Sequence, residues 1–185
     1  VKIMKNIRNK KILITGGTGS LGTALTKRLL QFNVKTIRIF SRDELKQTKM
    51  QEEFSDDRLR FLIGDIRDEK RLTQAMEDID IVFHTAALKH VPIGEYNPFE
   101  AIKTNVYGSQ NVIESSYNNN VKMVIGVGTD KAVSPSNTYG ATKLLMEKIF
   151  TSANFYKNVN KTKFVCVRYG NVLGSRGSIL PKFLE

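Results

Sequence analysis

Lys11-Ile-Leu-Ile-Thr-Gly-Gly-Thr-Gly-Ser-Leu-Gly22 decides the fold. Residues 11–14 form a short apolar, β-branched run that leads straight into glycines at 16, 19 and 22, and an amphipathic stretch follows over 20–31. A strand, a tight turn and a helix start in that order let bare backbone approach a pyrophosphate and aim helix N-terminal amides at it. The spacing alone is a weak signal. Its place in the first strand–helix unit predicts a dinucleotide site at Gly16, Thr18, Gly19, Ser20, Leu21 and Gly22.

Working outward, further β-branched runs occur at 36–40, 59–63, 81–84, 121–127 and 163–168. They are too apolar for half-exposed strands and read as strands buried on both faces. Helical periods fill 20–31, 42–54, 68–76, 98–118 and 138–157 between them. Alternation of this kind implies an α/β fold, a doubly wound parallel sheet with right-handed crossovers. Ser41-Arg-Asp-Glu44 has capping-box spacing, and Asn97-Pro98-Phe-Glu100 combines an N-cap with Pro at the first helical position. The reading is of one domain over 1–185, its core at 10–168. The polar, glycine-rich 169–178 is expected to open a substrate-binding region, which begins over 169–185 and is expected to be largely absent.

The chain has 185 residues, 41% hydrophobic and 25% charged, with a net charge of +11. That is the composition of a globular domain with a substantial core. No apolar run is long enough to span a bilayer. Cys166 is the single cysteine, which excludes an internal disulfide and a CxxC metal site and fits a reducing compartment. No metal site is expected, and the basic N-terminus lacks the apolar segment of a secretory signal. The expected compartment is the cytoplasm. Lysine and arginine are scattered through every segment without a helix-turn-helix, zinc-finger or RNP pattern, so the charge suits anionic small ligands and nucleic acid is not expected.

The end of the second strand speaks to the choice of dinucleotide. An NAD site places an acid there for the ribose hydroxyls, whereas Ser41 and Arg42 offer a hydroxyl and a guanidinium to a 2′-phosphate. NADP is therefore expected and NAD is the lesser choice. Asp65 and Ile66 follow the third strand, at an adenine, and Ala86 and Ala87 follow the fourth, against the middle of the cofactor.

Tyr139 and Lys143 stand four apart at a helix start, on one face. A lysine ammonium beside a phenol lowers the phenol's pKa, so Tyr139 becomes a base candidate. Gly128-Thr-Asp-Lys131 at the end of the fifth strand adds a hydroxyl, an acid and an amine.

These residues resemble the extended short-chain dehydrogenase/reductases, a superfamily of Rossmann-fold enzymes. Within it they resemble the inverting UDP-N-acetylglucosamine 4,6-dehydratases of polysaccharide and flagellin-sugar biosynthesis. The likeness runs over almost the whole chain. Its specific carriers are Ser41-Arg-Asp-Glu-Leu-Lys-Gln47, Ala87-Leu-Lys-His-Val-Pro92 and Thr129-Asp-Lys131, with Thr104-Asn-Val106 and Arg168-Tyr-Gly-Asn-Val-Leu-Gly-Ser175 in support.

The resemblance implies that Tyr139, supported by Lys143, takes the 4′-hydroxyl proton while hydride leaves C4′ for NADP+. Lys131 then removes the C5′ proton, Asp130 protonates the departing 6′-hydroxyl, and hydride returns to C6′. Thr129 holds the 4′-oxygen. Lys89 and Asn105 are expected beside the cofactor, and Lys89, His90, Thr129 and Asn171 beside the UDP-sugar. His84, at the end of an apolar strand, is read as a packed histidine. The resemblance also implies a homo-oligomer that pairs helices 98–118 and 138–157 of two copies, with Phe99, Val106, Ile113, Leu144, Leu145 and Ile149 as the apolar residues in view. A nucleotide-sugar 4-epimerase or a retaining dehydratase shares nearly all of these motifs. A redox-inactive NADP-binding regulatory module shares the fold alone.

Overall fold

The computed structural model describes residues 7–156 and 162–172. Six parallel strands form one sheet in the order β3-β2-β1-β4-β5-β6. They are β1 (Lys11–Thr15), β2 (Thr36–Ser41), β3 (Leu59–Ile63), β4 (Ile81–His84), β5 (Met123–Val127) and β6 (Lys163–Val167). The order reverses between β1 and β4, and in sheets of this kind ligands bind outside the carboxyl ends of the strands at that point. The predicted doubly wound sheet is what the chain forms.

Strand alternation sends side chains to opposite faces. Leu13, Phe40, Val82 and Val124 enter one core with Leu72, Val112, Met146 and Phe150. Ile12, Ile14, Ile37 and Ile39 enter the other with Leu29 and Met50. The central positions of the inner strands are therefore apolar on both faces, Arg38 of β2 excepted. The edge strands depart from the expectation of two buried faces: Ile63 of β3 and Val165 and Val167 of β6 are close to half exposed, because an edge strand has fewer neighbours to cover it.

The helices are α1 (Ser20–Leu29), α2 (Glu44–Phe54), α3 (Glu69–Ala75), α4 (Val91–Tyr96), α5 (Pro98–Ile102), α6 (Gly108–Asn118) and α7 (Thr138–Tyr156). Four features differ from the sequence reading. Ser41 ends β2 instead of capping α2; the cap is Asp43, whose Oδ1 accepts from the Lys46 amide at 3.0 Å. Asn97 does precede α5, but its side chain donates back to Ile93 O at 3.0 Å and caps nothing. The helix expected over 98–118 is interrupted by a π-turn at Lys103–Tyr107, where the Gly108 amide reaches Lys103 O. One extra residue in a helix leaves the apolar spacing on both sides intact, so periodicity does not reveal it. The short α4 went unpredicted, since six residues carry too little periodicity.

Candidate active site

The glycine turn brings backbone close to backbone. Gly16 has φ +65°, a conformation that favours glycine, and a Cβ there would lie 2.7 Å from Ala86 Cα. The Gly16 amide is tied to Phe40 O at 2.8 Å. Helix α1 begins behind Gly19 with no side-chain cap and no acid in its first turn, so its leading amides face the cleft. That cleft, about 1200 Å³, runs across the carboxyl ends of the strands. Its first wall holds Gly16, Thr18, Gly19, Ser20, Leu21 and Gly22.

Ser41 and Arg42 line the next section, with Asp65 and Ile66 opposite. Ser41 is buried, and its Oγ accepts from Gln47 Nε2 at 3.0 Å, which leaves its own proton to donate into the cleft. Asp43 is committed to capping α2 and to Lys46. Arg42 is 3.6 Å from Asp65, which also pairs with Arg67 at 2.7 Å. Burial works to raise the Asp65 carboxyl, but the Arg67 hydrogen bonds and the two guanidinium charges outweigh it and hold the group below its ordinary value.

Ala86, Ala87, Lys89 and His90 form the middle of the cleft, and the chain there is held from behind. Asn105, almost wholly buried and outside the cleft lining, accepts from the Leu88 amide at 2.8 Å and donates to Leu88 O at 2.9 Å and to Thr142 Oγ1 at 3.0 Å. The π-turn aims this side chain, so Asn105 acts on the segment that lines the cleft and not on the cleft itself. Its neighbour Thr104 does line the cleft, and Thr104 Oγ1 is buried with no hydrogen-bond partner. The sequence reading gave Thr104 no role; its only signal was its place in the Thr104-Asn-Val106 motif.

His84 is packed, as expected, and fully buried. The Ser109 hydroxyl proton is committed to Asn105 O, so His84 Nε2 donates to Ser109 Oγ and Nδ1 accepts from Thr15 Oγ1. Burial, with the Lys143 charge, pushes the imidazole down to about 3 and keeps it neutral.

At the far end Thr129, Lys131, Tyr139 and Asn171 meet. Thr129 caps a single 3-10 turn, Asp130–Ala132, that follows β5. Lys131 Nζ donates to Asp130 Oδ1 at 3.2 Å and to Asn171 Oδ1 at 3.0 Å. Hydrogen bonds from Thr129 and Lys131 hold the Asp130 carboxyl below its ordinary range. Asp130 stands beside the lining residues, its side chain half exposed.

Tyr139 and Lys143 lie on α7 as the spacing predicts, Tyr139 in the cleft and Lys143 buried behind it. The expected lowering of the Tyr139 pKa is not what the protein alone produces. Burial raises the phenol, the Thr129 contact opposes that, and Tyr169 and Asp130 add to the rise. Lys143 itself is pushed down by burial to about 8, with Cys166 and Glu147 resisting.

Residues 173–178 of the glycine-rich loop fall outside the described residues. Among those described, no group of acids, histidines and cysteines could hold a metal, and no helix is long and apolar enough to cross a membrane.

Comparison with known proteins agrees with the architecture. Over 178 residues the chain is 54% identical to a Methanocaldococcus jannaschii protein named "Uncharacterized membrane protein MJ1061", covering 96% of this chain and 54% of that one. It is 54% identical over 175 residues to the inverting UDP-N-acetylglucosamine 4,6-dehydratase of Campylobacter jejuni, covering 94% and 52%. It is also 46% identical over 181 residues to the UDP-glucose 4-epimerase of Rickettsia canadensis, covering 96% and 53%. The solved structure of Pen from Bacillus thuringiensis superposes with a TM-score of 0.94 at 50% identity, over 96% of this chain and 57% of that one. Neighbours solved with NAD share the fold at 18–24% identity. The chain spans about half the length of the curated relatives it matches. Residues 12–185 match the polysaccharide biosynthesis protein family, and the chain belongs to that family.

Proposed function

We propose that this chain is the nucleotide-binding part of an NADP-dependent UDP-N-acetylglucosamine 4,6-dehydratase of the C5-inverting kind. The observation that carries the reading is the Asp130–Lys131 pair, set beside Tyr139 and Asn171 at the end of β5. A 4-epimerase removes and returns hydride at C4′ and needs no proton transfer at C5′. Elimination of water across C5′ and C6′ needs both a base and an acid.

The cleft suits a dinucleotide. Gly16 and Gly22 let the turn pack backbone to backbone against Ala86 and the start of α1, which brings the helix amides to the cleft, and the orphaned Thr104 hydroxyl offers a hydrogen bond. Ser41 and Arg42 favour the 2′-phosphate of NADP over NAD. A bound nicotinamide would supply the hydride acceptor for C4′ and the donor for C6′.

Tyr139 receives the 4′-hydroxyl proton, Thr129 holds the same oxygen, and Lys143 places positive charge behind the phenol. Lys131, as a free amine, takes the C5′ proton, and Asp130, as a carboxylic acid, gives one to the 6′-oxygen as water leaves. One proton moved along the Lys131–Asp130 bond converts the ion pair into that base and acid. Reprotonation at C5′ then sets the configuration. The reading includes a homo-oligomer in the cytoplasm.

Product NMR after the full-length protein is incubated with UDP-N-acetylglucosamine tests the reaction. A UDP-4-keto-6-deoxy sugar carrying solvent deuterium at C5′ is expected, and Lys131→Ala should lower its formation about 10²–10⁴-fold. A C4′ epimer as the sole product would assign the chain to the epimerases instead.

A further inference from the structure

Tyr139 and Lys143 sit on α7, whereas Asp130 and Lys131 sit on the 3-10 turn that follows β5 and packs against the start of that helix. Hydride removal and elimination succeed on one sugar only if the two pairs keep a fixed spacing. Glu147 lies one turn beyond Lys143 on α7, buried yet paired. Its carboxylate accepts from Arg168 Nε at 2.9 and 3.0 Å and from Arg168 Nη2 at 2.6 Å.

Arg168 immediately follows β6 and stands between two backbone clamps. The Gly128 amide donates to Val167 O at 2.7 Å, and the Asp130 amide to Tyr169 O at 3.0 Å. Asn171, two residues further on, takes Lys131 Nζ. Gly128 completes the arrangement, since a Cβ there would collide with Glu147 Oε1; the carboxylate rests directly on the loop backbone. The redox helix, the β6 exit and the acid–base loop thus meet at one ion pair.

We propose that the Glu147–Arg168 fork is a strut registering α7 against the Thr129-Asp-Lys131 loop, which makes both residues positioning residues that couple oxidation at C4′ to elimination across C5′ and C6′. This inference rests on the dehydratase reading. With Glu147 buried but the Arg168 side chain close to half exposed, the pair is a poor source of stability, because solvent screens it. A two-pronged fork fixes direction as well as distance. Without Arg168, Glu147 becomes a buried carboxylate whose helix-face neighbour four residues back is Lys143.

The test uses the full-length chain with Arg168→Met, Arg168→Lys and the double variant Glu147→Gln/Arg168→Met, with UDP-N-acetylglucosamine as probe. Cofactor reduction in a single turnover reports the first step, and 4-keto product reports the second. In all three variants product formation should fall at least about tenfold while cofactor reduction stays within about threefold of the parent. Backbone amides of Gly128 and Asp130 should exchange at least about tenfold faster, while the Gly16 amide, bonded to Phe40 O, stays unchanged. Equal losses in both steps, or unaltered exchange at Gly128 and Asp130, would overturn the strut. Should the parent make no 4-keto product, the dehydratase reading falls on its own, and amide exchange alone then decides whether the strut exists.

Discussion

Lys143 is a cation held where water is scarce, and its cost can be read from pH. Its folded value of about 8 lies below the ordinary 10.5, so between those values the unfolded chain binds the extra proton. The penalty is complete below about pH 8, on the order of 3 kcal/mol, and fades as pH climbs toward 10.5. Lys143→Met should therefore raise the melting temperature of the cofactor-free protein at neutral pH, with the gain shrinking in alkaline buffer, while activity is lost. A pH-independent gain would mean that packing, not charge, was responsible. Arg42 makes a second residue-scale case. With its side chain more than half exposed and only 3.6 Å from Asp65, it is loosely held and free to meet a phosphate. Calorimetry on Arg42→Ala should show NADP affinity falling about tenfold to a hundredfold with NAD affinity unchanged; equal affinity for both in the parent would remove the basis for the preference. Asp130, Lys131 and Tyr139 were legible in the sequence because chemistry-bearing side chains at a strand end and at i,i+4 need no tertiary detail to be placed. Thr104 and the Glu147–Arg168 fork were not, since a buried hydroxyl without a partner and an ion pair across 21 residues exist only once the chain has folded.

Among the elements, the β1–turn–α1 unit carried the most information. A Cβ on Gly22 would lie 2.5 Å from Gly17 O, so the start of α1 packs against the turn that precedes it. Gly22→Ala should cost about 1–3 kcal/mol in urea unfolding and weaken cofactor binding alongside; an unchanged midpoint would show that the turn can yield. Alternation and glycine spacing report local geometry, which is why this unit and the six strands were readable. The cap of α2 was misread for a related reason: Ser41 and Asp43 both have capping side chains, and only the length of β2 decides between them. The break in the 98–118 helix was invisible because Ala101 on one side and Val112 and Ile113 on the other still face the core.

At the scale of the molecule, the residues in view for self-association divide. Ile113 is core, whereas Phe99 and Leu145 are exposed along with Tyr96, on helices α4, α5 and α7 that pack together. Large exposed apolar side chains of this kind are what the proposed homo-oligomer would cover. Light scattering of the full-length protein at micromolar concentration should give a dimer or larger, and Phe99→Glu with Leu145→Glu should shift it to monomer; a monomeric parent would refute the assembly. The π-turn has a consequence in the language of insertions and deletions. A helix with one surplus residue can lose a codon and close up as a regular helix, its flanking halves still seated in the core. Loss of one codon within 103–107 should thus leave a chain that folds but no longer directs Asn105 at Leu88, a lesion that abundance measurements would score as silent and ligand binding would not.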